Sequence, residues 1–291
     1  MKFQPDYNNI TDAAWNRPPK RIPLYEHIIS THKMEEYLGI SFADLHDGND
    51  RDKAEFFRRM CDFFLKLGYD TVSYECLISA ILPGSGALYG HREGCIRDKK
   101  DFDGYPWESV ADIFFDTYAE NYEILRGQLP TGMKVAGGPG NGLFECVQDI
   151  VGYTQLCYFK SDDPDVYAGL FEKMGDVFME IWTRFLPAYG DMLALGRFGD
   201  DLGYKGGTLL DPADIRTIII PQYRRIIDLI HASGKPFLLH SCGNIFGIMP
   251  DLIESAGINA KHSNEDVIAP FPEWVKRYGD RIGNFGGVDA D

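Results

Sequence analysis

Apolar and polar positions along this chain switch repeatedly between two periods. Short runs in which most residues are apolar alternate with longer stretches carrying an apolar residue every third or fourth position, the signatures of buried strands and amphipathic helices. The strand-type runs are RIPLYEH (21–27), YDTVSYE (69–75), MKVAGG (133–138), MLALGRFG (192–199), KPFLLH (235–240), INAKHS (258–263) and RIGNFGG (281–287). Residues 53–67 place Phe56, Met60, Phe63, Phe64 and Leu67 on one helical face, and Gly68 supplies a stop. Aromatics at that spacing are core. Further helices are predicted over about 108–126, over 142–189 with an interruption at Asp163-Pro164, after Asp211-Pro212, over 245–256 and over 272–279. Pro221 is expected to kink or split the helix that starts at Asp211.

Strands separated by helices imply parallel pairing through crossovers, and strands apolar throughout imply a sheet covered on both faces. A doubly wound open sheet and a closed barrel both satisfy this much. The polar residues separate them. Nearly every run ends in glycines or reactive groups: Glu26 and His27, Glu75, Gly137 to Gly140, Asp200 and Asp201, His240 to Gly243, His262 to Glu265, and Asp289. A barrel gathers such ends around one mouth, whereas an open sheet spreads them along a crevice. The expected fold is therefore α/β, a (β/α)8 TIM barrel over residues 1–291 with 1–20 as an N-terminal arm. An eighth strand is missing after GGVDAD, so about 40–60 further residues are expected beyond it.

Hydrophobic content of 44% fits a globular protein, and the formal net charge of −15 disfavours nucleic-acid and membrane-surface partners. The N-terminus has no apolar signal core, and no apolar run approaches the ~20 residues of a membrane span. Cysteines at 61, 76, 95, 146, 157 and 242 form no CxxC pair, which predicts free thiols and a cytoplasmic protein.

The reactive segment is PFLLHSCGN. Residues i and i+2 of a strand share a side, so His240 and Cys242 can converge on one ion, and imidazole with thiolate suits zinc. The plainer reading makes Cys242 a small buried residue and His240 a hydrogen-bonded core group. A zinc site needs a third protein ligand; Glu75 is the best one in view, and a cysteine past Asp291 is the other. Asp200 and Asp201 follow GRFG as candidates for acid–base work or for orienting a metal-bound histidine, or as a turn pair. His262 and Asn264 point to one side of the sixth run, and Asp289 ends the seventh. Each of these is an ordinary loop residue unless the shared mouth gives it a role. Gly138 and Gly140 lie in a glycine-rich turn that lacks both P-loop and dinucleotide spacing; it can let a ligand approach the backbone.

The segments DDLGYKGGTLLDP, PQYRRIIDLIHASGKPFLLHSCGNI, MPDLIESAGINAKHSNED and YGDRIGNFGGVD together resemble the uroporphyrinogen decarboxylase (URO-D) superfamily from about residue 20 onward. The resemblance implies a (β/α)8 barrel. The Arg-rich N-terminal segment with which true decarboxylases grip substrate carboxylates is absent; RPPKRIPLYEHIIS stands there instead, with Arg17 and Arg21 matching poorly. The corrinoid-linked methyltransferases of the superfamily carry a His-x-Cys zinc motif, present here as His240-Ser241-Cys242, and a later cysteine. What the resemblance implies is a zinc-dependent transfer of a methyl group between a corrinoid (cobalamin) on a partner protein and a small molecule. Decarboxylation of a uroporphyrinogen-type substrate is the runner-up, and a catalytically silent, ligand-binding barrel is the third reading. Barrels of this kind often pair, which makes a homodimer an option.

Overall fold

A computed structural model describes residues 3–288. Six strands form one parallel sheet in chain order: β1 (Thr71–Leu77), β2 (Lys134–Gly140), β3 (Leu193–Gly199), β4 (Phe237–His240), β5 (Ala260–His262) and β6 (Gly283–Asn284). The helices that cover it are α1 (Asn8–Ala14), α2 (Thr31–Leu38), α3 (Asp50–Leu67), α4 (Val110–Gln128), α5 (Leu143–Val151), α6 (Tyr153–Asp162), α7 (Pro164–Tyr189), α8 (Ile220–Ala232) and α9 (Phe271–Tyr278). The fold is α/β of the TIM-barrel type. Asn49 opens α3 with a capping box and Gly68 closes it in the left-handed conformation. Pro221 lies in the first turn of α8, directly after a π-helical turn (Ile215–Ile219), so the expected split falls just before it.

The strands have two distinct apolar faces. Ala136, Leu195, Leu238, Ala260 and Phe285 point inward and form a small separate cluster with Ile10 and Ala14 of α1. Val135, Phe198, Phe237 and Leu239 point outward into the large core shared with the helices. Trp182 of α7 reaches the sheet because Gly138 and Gly196 present no side chain to it; a Cβ at these positions would lie 2.7 and 3.4 Å from its ring. The sheet thus curves around an interior that α1 seals from the N-terminal ends of the strands.

Two expectations are corrected. RIPLYEH is not a strand: residues 21–27 run without a ladder partner, and Pro23 has no N–H to offer one. The segment instead spans the two edges of the sheet. Ser73 of β1 donates its hydroxyl to the carbonyl of Glu26, and the Tyr25 ring meets Phe285, just past β6, at 5.0 Å. The helix expected over 245–256 is reduced to a short turn (Met249–Asp251) and a π-helical turn (Leu252–Ala256).

The arm is anchored at Asp70, which is fully buried before β1. Its carboxylate accepts hydrogen bonds from Asp6 N (2.6 Å), Asn9 Nδ2 (3.2 Å) and Arg21 Nη2 (2.5 Å). Asp70→Ala is expected to destabilise the protein by about 3 kcal/mol, since it strands three donors at once. Urea denaturation checks this, and a loss under ~0.5 kcal/mol would show that the arm is not held there.

Candidate functional site

Side chains of the inward face rise from the apolar plug to the C-terminal strand ends. Above Leu195 comes Arg197, whose side chain is completely buried. Its Nε and Nη2 donate to Glu75 Oε2 at 3.1 and 3.0 Å, and its Nη1 donates to the Tyr25 hydroxyl and the His27 carbonyl. Gly140 leaves room for Glu75, because a Cβ there would lie 2.7 Å from the Glu75 carboxyl carbon. The ion pair forms the floor of the mouth.

Above that floor three imidazoles meet. His27 of the arm stacks on His240 with ring centroids 3.9 Å apart, and His240 Nδ1 lies 2.7 Å from His262 Nδ1. Register places Gly199, His240 and His262 side by side on β3, β4 and β5, so the rings converge by strand pairing. The other nitrogen of His240 faces elsewhere. Nε2 is 3.5 Å from Cys242 Sγ and 3.7 Å from Asp201 Oδ1, and Asp201 Oδ1 also accepts the Cys242 amide at 2.8 Å. His27, His240 and His262 form one group able to hold a metal; Asp201, His240 and Cys242 form a second. Bonds of about 2.0–2.3 Å to a tetrahedral zinc set its donors about 3.3–3.8 Å apart, and the spacings around His240 Nε2 fall in that range.

Burial shapes the protonation of this group. It pushes His240 down to about 4, against the opposing charge of Asp201, and His262 down to about 2. His27 is lowered further, by burial and then by the Arg197 guanidinium. The imidazoles are therefore neutral with lone pairs available, the form a metal requires. Burial and the charge of Asp201 push the Cys242 thiol up to about 11, so a nearby cation is what would make it a thiolate.

The remaining predicted residues have definite places. Asp200 is buried at the N-terminus of α5, where it accepts from Phe144 N (3.0 Å), Glu145 N (2.9 Å) and the Tyr223 hydroxyl. Asn264 is buried, and neither amide atom has a hydrogen-bond partner among the described residues. Gly140 faces the mouth, Gly138 faces Trp182 away from it, and Asp289 lies outside the described residues. Glu75 is not grouped with His240 and Cys242; Asp201 is. Sequence reasoning passed over Arg197, Tyr25 and Glu145. Arg197 was visible as a charge inside an apolar strand. Glu145, raised to about 8 by burial and the Asp200 charge, had no sequence signal.

Residues 90–290, well over half of the chain, match the model of the uroporphyrinogen decarboxylase (URO-D) family. The chain belongs to that family. A methyltransferase from Methanosarcina mazei has a similar fold, with a TM-score of 0.67 at 14% identity over 97% of this chain and 83% of that one. No curated protein matches this URO-D family member.

Tight packing at the strand-end turns makes one outcome specific. A Cβ on Gly142 would lie 2.0 Å from that of Asp200, so Gly142→Ala must displace the carboxylate that caps α5. A stability loss of about 2 kcal/mol or more is expected in chemical denaturation, against well under 1 kcal/mol for Gly104→Ala, where no atom stands in the way.

Proposed function

We propose that this chain is a zinc-dependent methyltransferase that moves a methyl group between a corrinoid, carried by a partner protein, and a small-molecule substrate. The observation that carries the reading is the convergence of Asp201, His240 and Cys242 at the mouth, three donors that leave a fourth position for a substrate. In this reading Asp201 takes the ligand position expected of Glu75, which stays paired with Arg197. The zinc, when bound, supplies a lowered pKa to a coordinated nucleophile or a better leaving group.

The protein's own residues do the rest. With Nε2 of His240 as the ligand, its proton sits on Nδ1 and is donated to His262 Nδ1, 2.7 Å away; His262 is thus a positioning residue. Asp200 holds the turn after β3, so that the neighbouring Asp201 carboxylate stays at the mouth. Asn264 is retained as a candidate polar group, its buried amide unpaired among the described residues, and Gly140 keeps the floor open. Asp289 is retained as a further polar group of the mouth. Decarboxylation of a polycarboxylate is the weaker reading, because it needs arginines free to hold carboxylates. Arg197 is fully engaged, and Arg21 pairs with Asp70 at the opposite end of the barrel.

Metal analysis of the purified protein is expected to give about one zinc per chain. His240→Ala, Cys242→Ser and Asp201→Asn are each expected to lose it, while Glu75→Gln retains it. His262→Ala is expected to weaken zinc affinity by about 10–100-fold. Methyl transfer from methylcobalamin to a thiol, followed by the cobalamin absorbance, tests the reaction. Zinc-free protein that decarboxylates a porphyrinogen would reverse the ranking, and a barrel with neither zinc nor turnover would be a silent one.

A further inference from the structure

Next to the mouth lies a cavity of about 460 Å3 that His27 helps to line and that Asp201, His240 and Cys242 do not. Its size is that of a small-molecule site. It runs along the outer edge of β1, between the arm, α2 and α3, with walls of Ile28, Met34, Phe56 and Met60. Ile28 is an apolar side chain left 64% exposed at this cavity, and the two methionines are adaptable packing surfaces.

The floor is polar and one-sided. Arg197 is the only lysine or arginine among the described residues that line the cavity, and all three of its guanidinium nitrogens are engaged. Both of its bonds to Glu75 land on Oε2. Oε1 has no hydrogen bond among the described residues, and His27 Nε2 lies 3.9 Å from it. Asp47 adds a second carboxylate to the lining, paired with His46 Nδ1 at 2.8 Å. An incoming carboxylate would find no free lysine or arginine among the described lining residues and would face Glu75, whereas a positively charged N–H donor would complete the unused acceptor.

We infer that this cavity binds a small organic ammonium, its head on Glu75 Oε1 and its apolar part against Met34, Phe56 and Met60. Under the methyltransferase reading such a ligand is the methyl donor or acceptor. Only that role rests on the reading; the binding does not.

Ligand-observed NMR titration of the purified protein with n-hexylammonium, hexan-1-ol and hexanoate tests this. The ammonium is expected to saturate and to bind about tenfold tighter than the alcohol, with hexanoate weakest. Glu75→Gln is expected to erase the preference for ammonium over alcohol, at a cost in stability because it takes the counter-ion from the buried Arg197. Thr31→Lys keeps the ion pair intact, puts a cation into the lining, and is expected to weaken ammonium about tenfold while favouring hexanoate. Met60→Trp fills the space and is expected to weaken ammonium and alcohol alike. Cys242→Ser lies outside the cavity and is expected to bind hexylammonium as the wild type does, so absence of zinc and absence of ligand binding are separate failures. Hexanoate binding as tightly as hexylammonium, or ammonium affinity unmoved by both Thr31→Lys and Met60→Trp, overturns the inference.

Discussion

A guanidinium taken wholly out of water must be surrounded by acceptors, and at Arg197 those acceptors come from two separate parts of the chain, β1 and the segment that carries Tyr25 and His27. Glu75 reaches across from β1, Tyr25 offers its hydroxyl, and His27 offers its carbonyl. The desolvation cost of such a charge is large and is offset only when the geometry and the remaining hydrogen bonds are all satisfied. Through Nη1, Arg197 therefore fixes where Tyr25 and His27 lie, as Asp70 does for the residues before them. With the arm held, the His27 ring falls against His240, and the edge of β1 is bridged by Glu26. Both the mouth and the neighbouring cavity take their floor from this one interaction.

Strand periodicity then explains why chemistry collects above it. Inward positions on β2 to β5 begin with the apolar Ala136, Leu195, Leu238 and Ala260, and two residues on become Arg197, His240 and His262 on the last three. Parallel register sets His240 and His262 at one height beside Gly199, with Arg197 one layer lower, level with Leu238. The glycines at the strand ends serve by taking no space. Gly138 and Gly196 admit Trp182 from outside, Gly140 admits Glu75 from inside, and Gly142 admits Asp200.

His240 links two environments through its two nitrogens. One faces His262 and the other faces Cys242 and Asp201, so holding the first fixes the second. That coupling distinguishes this site from an accidental pair of polar residues. It also gives the neighbouring aspartates different work: Asp200 turns inward as a helix cap, while Asp201 stays at the mouth.

Much of this was legible along the chain. Apolar runs identified all six strands to within a few residues, and the parallel, two-faced sheet followed from their alternation with helices. His240 and Cys242 were legible as a pair from a spacing of two at a strand end, although β4 stops at His240 and Cys242 lies in the turn beyond it. RIPLYEH misled because composition reports an extended apolar segment and not whether a ladder partner exists. Glu75 and Asp201 were both carboxylates at strand ends, and no local pattern could rank them. Only the tertiary structure decided that Arg197 claims one and leaves the other beside His240. Periodicity is a local property that the backbone enforces residue by residue, whereas the pairing of a buried charge depends on which distant side chain arrives within reach.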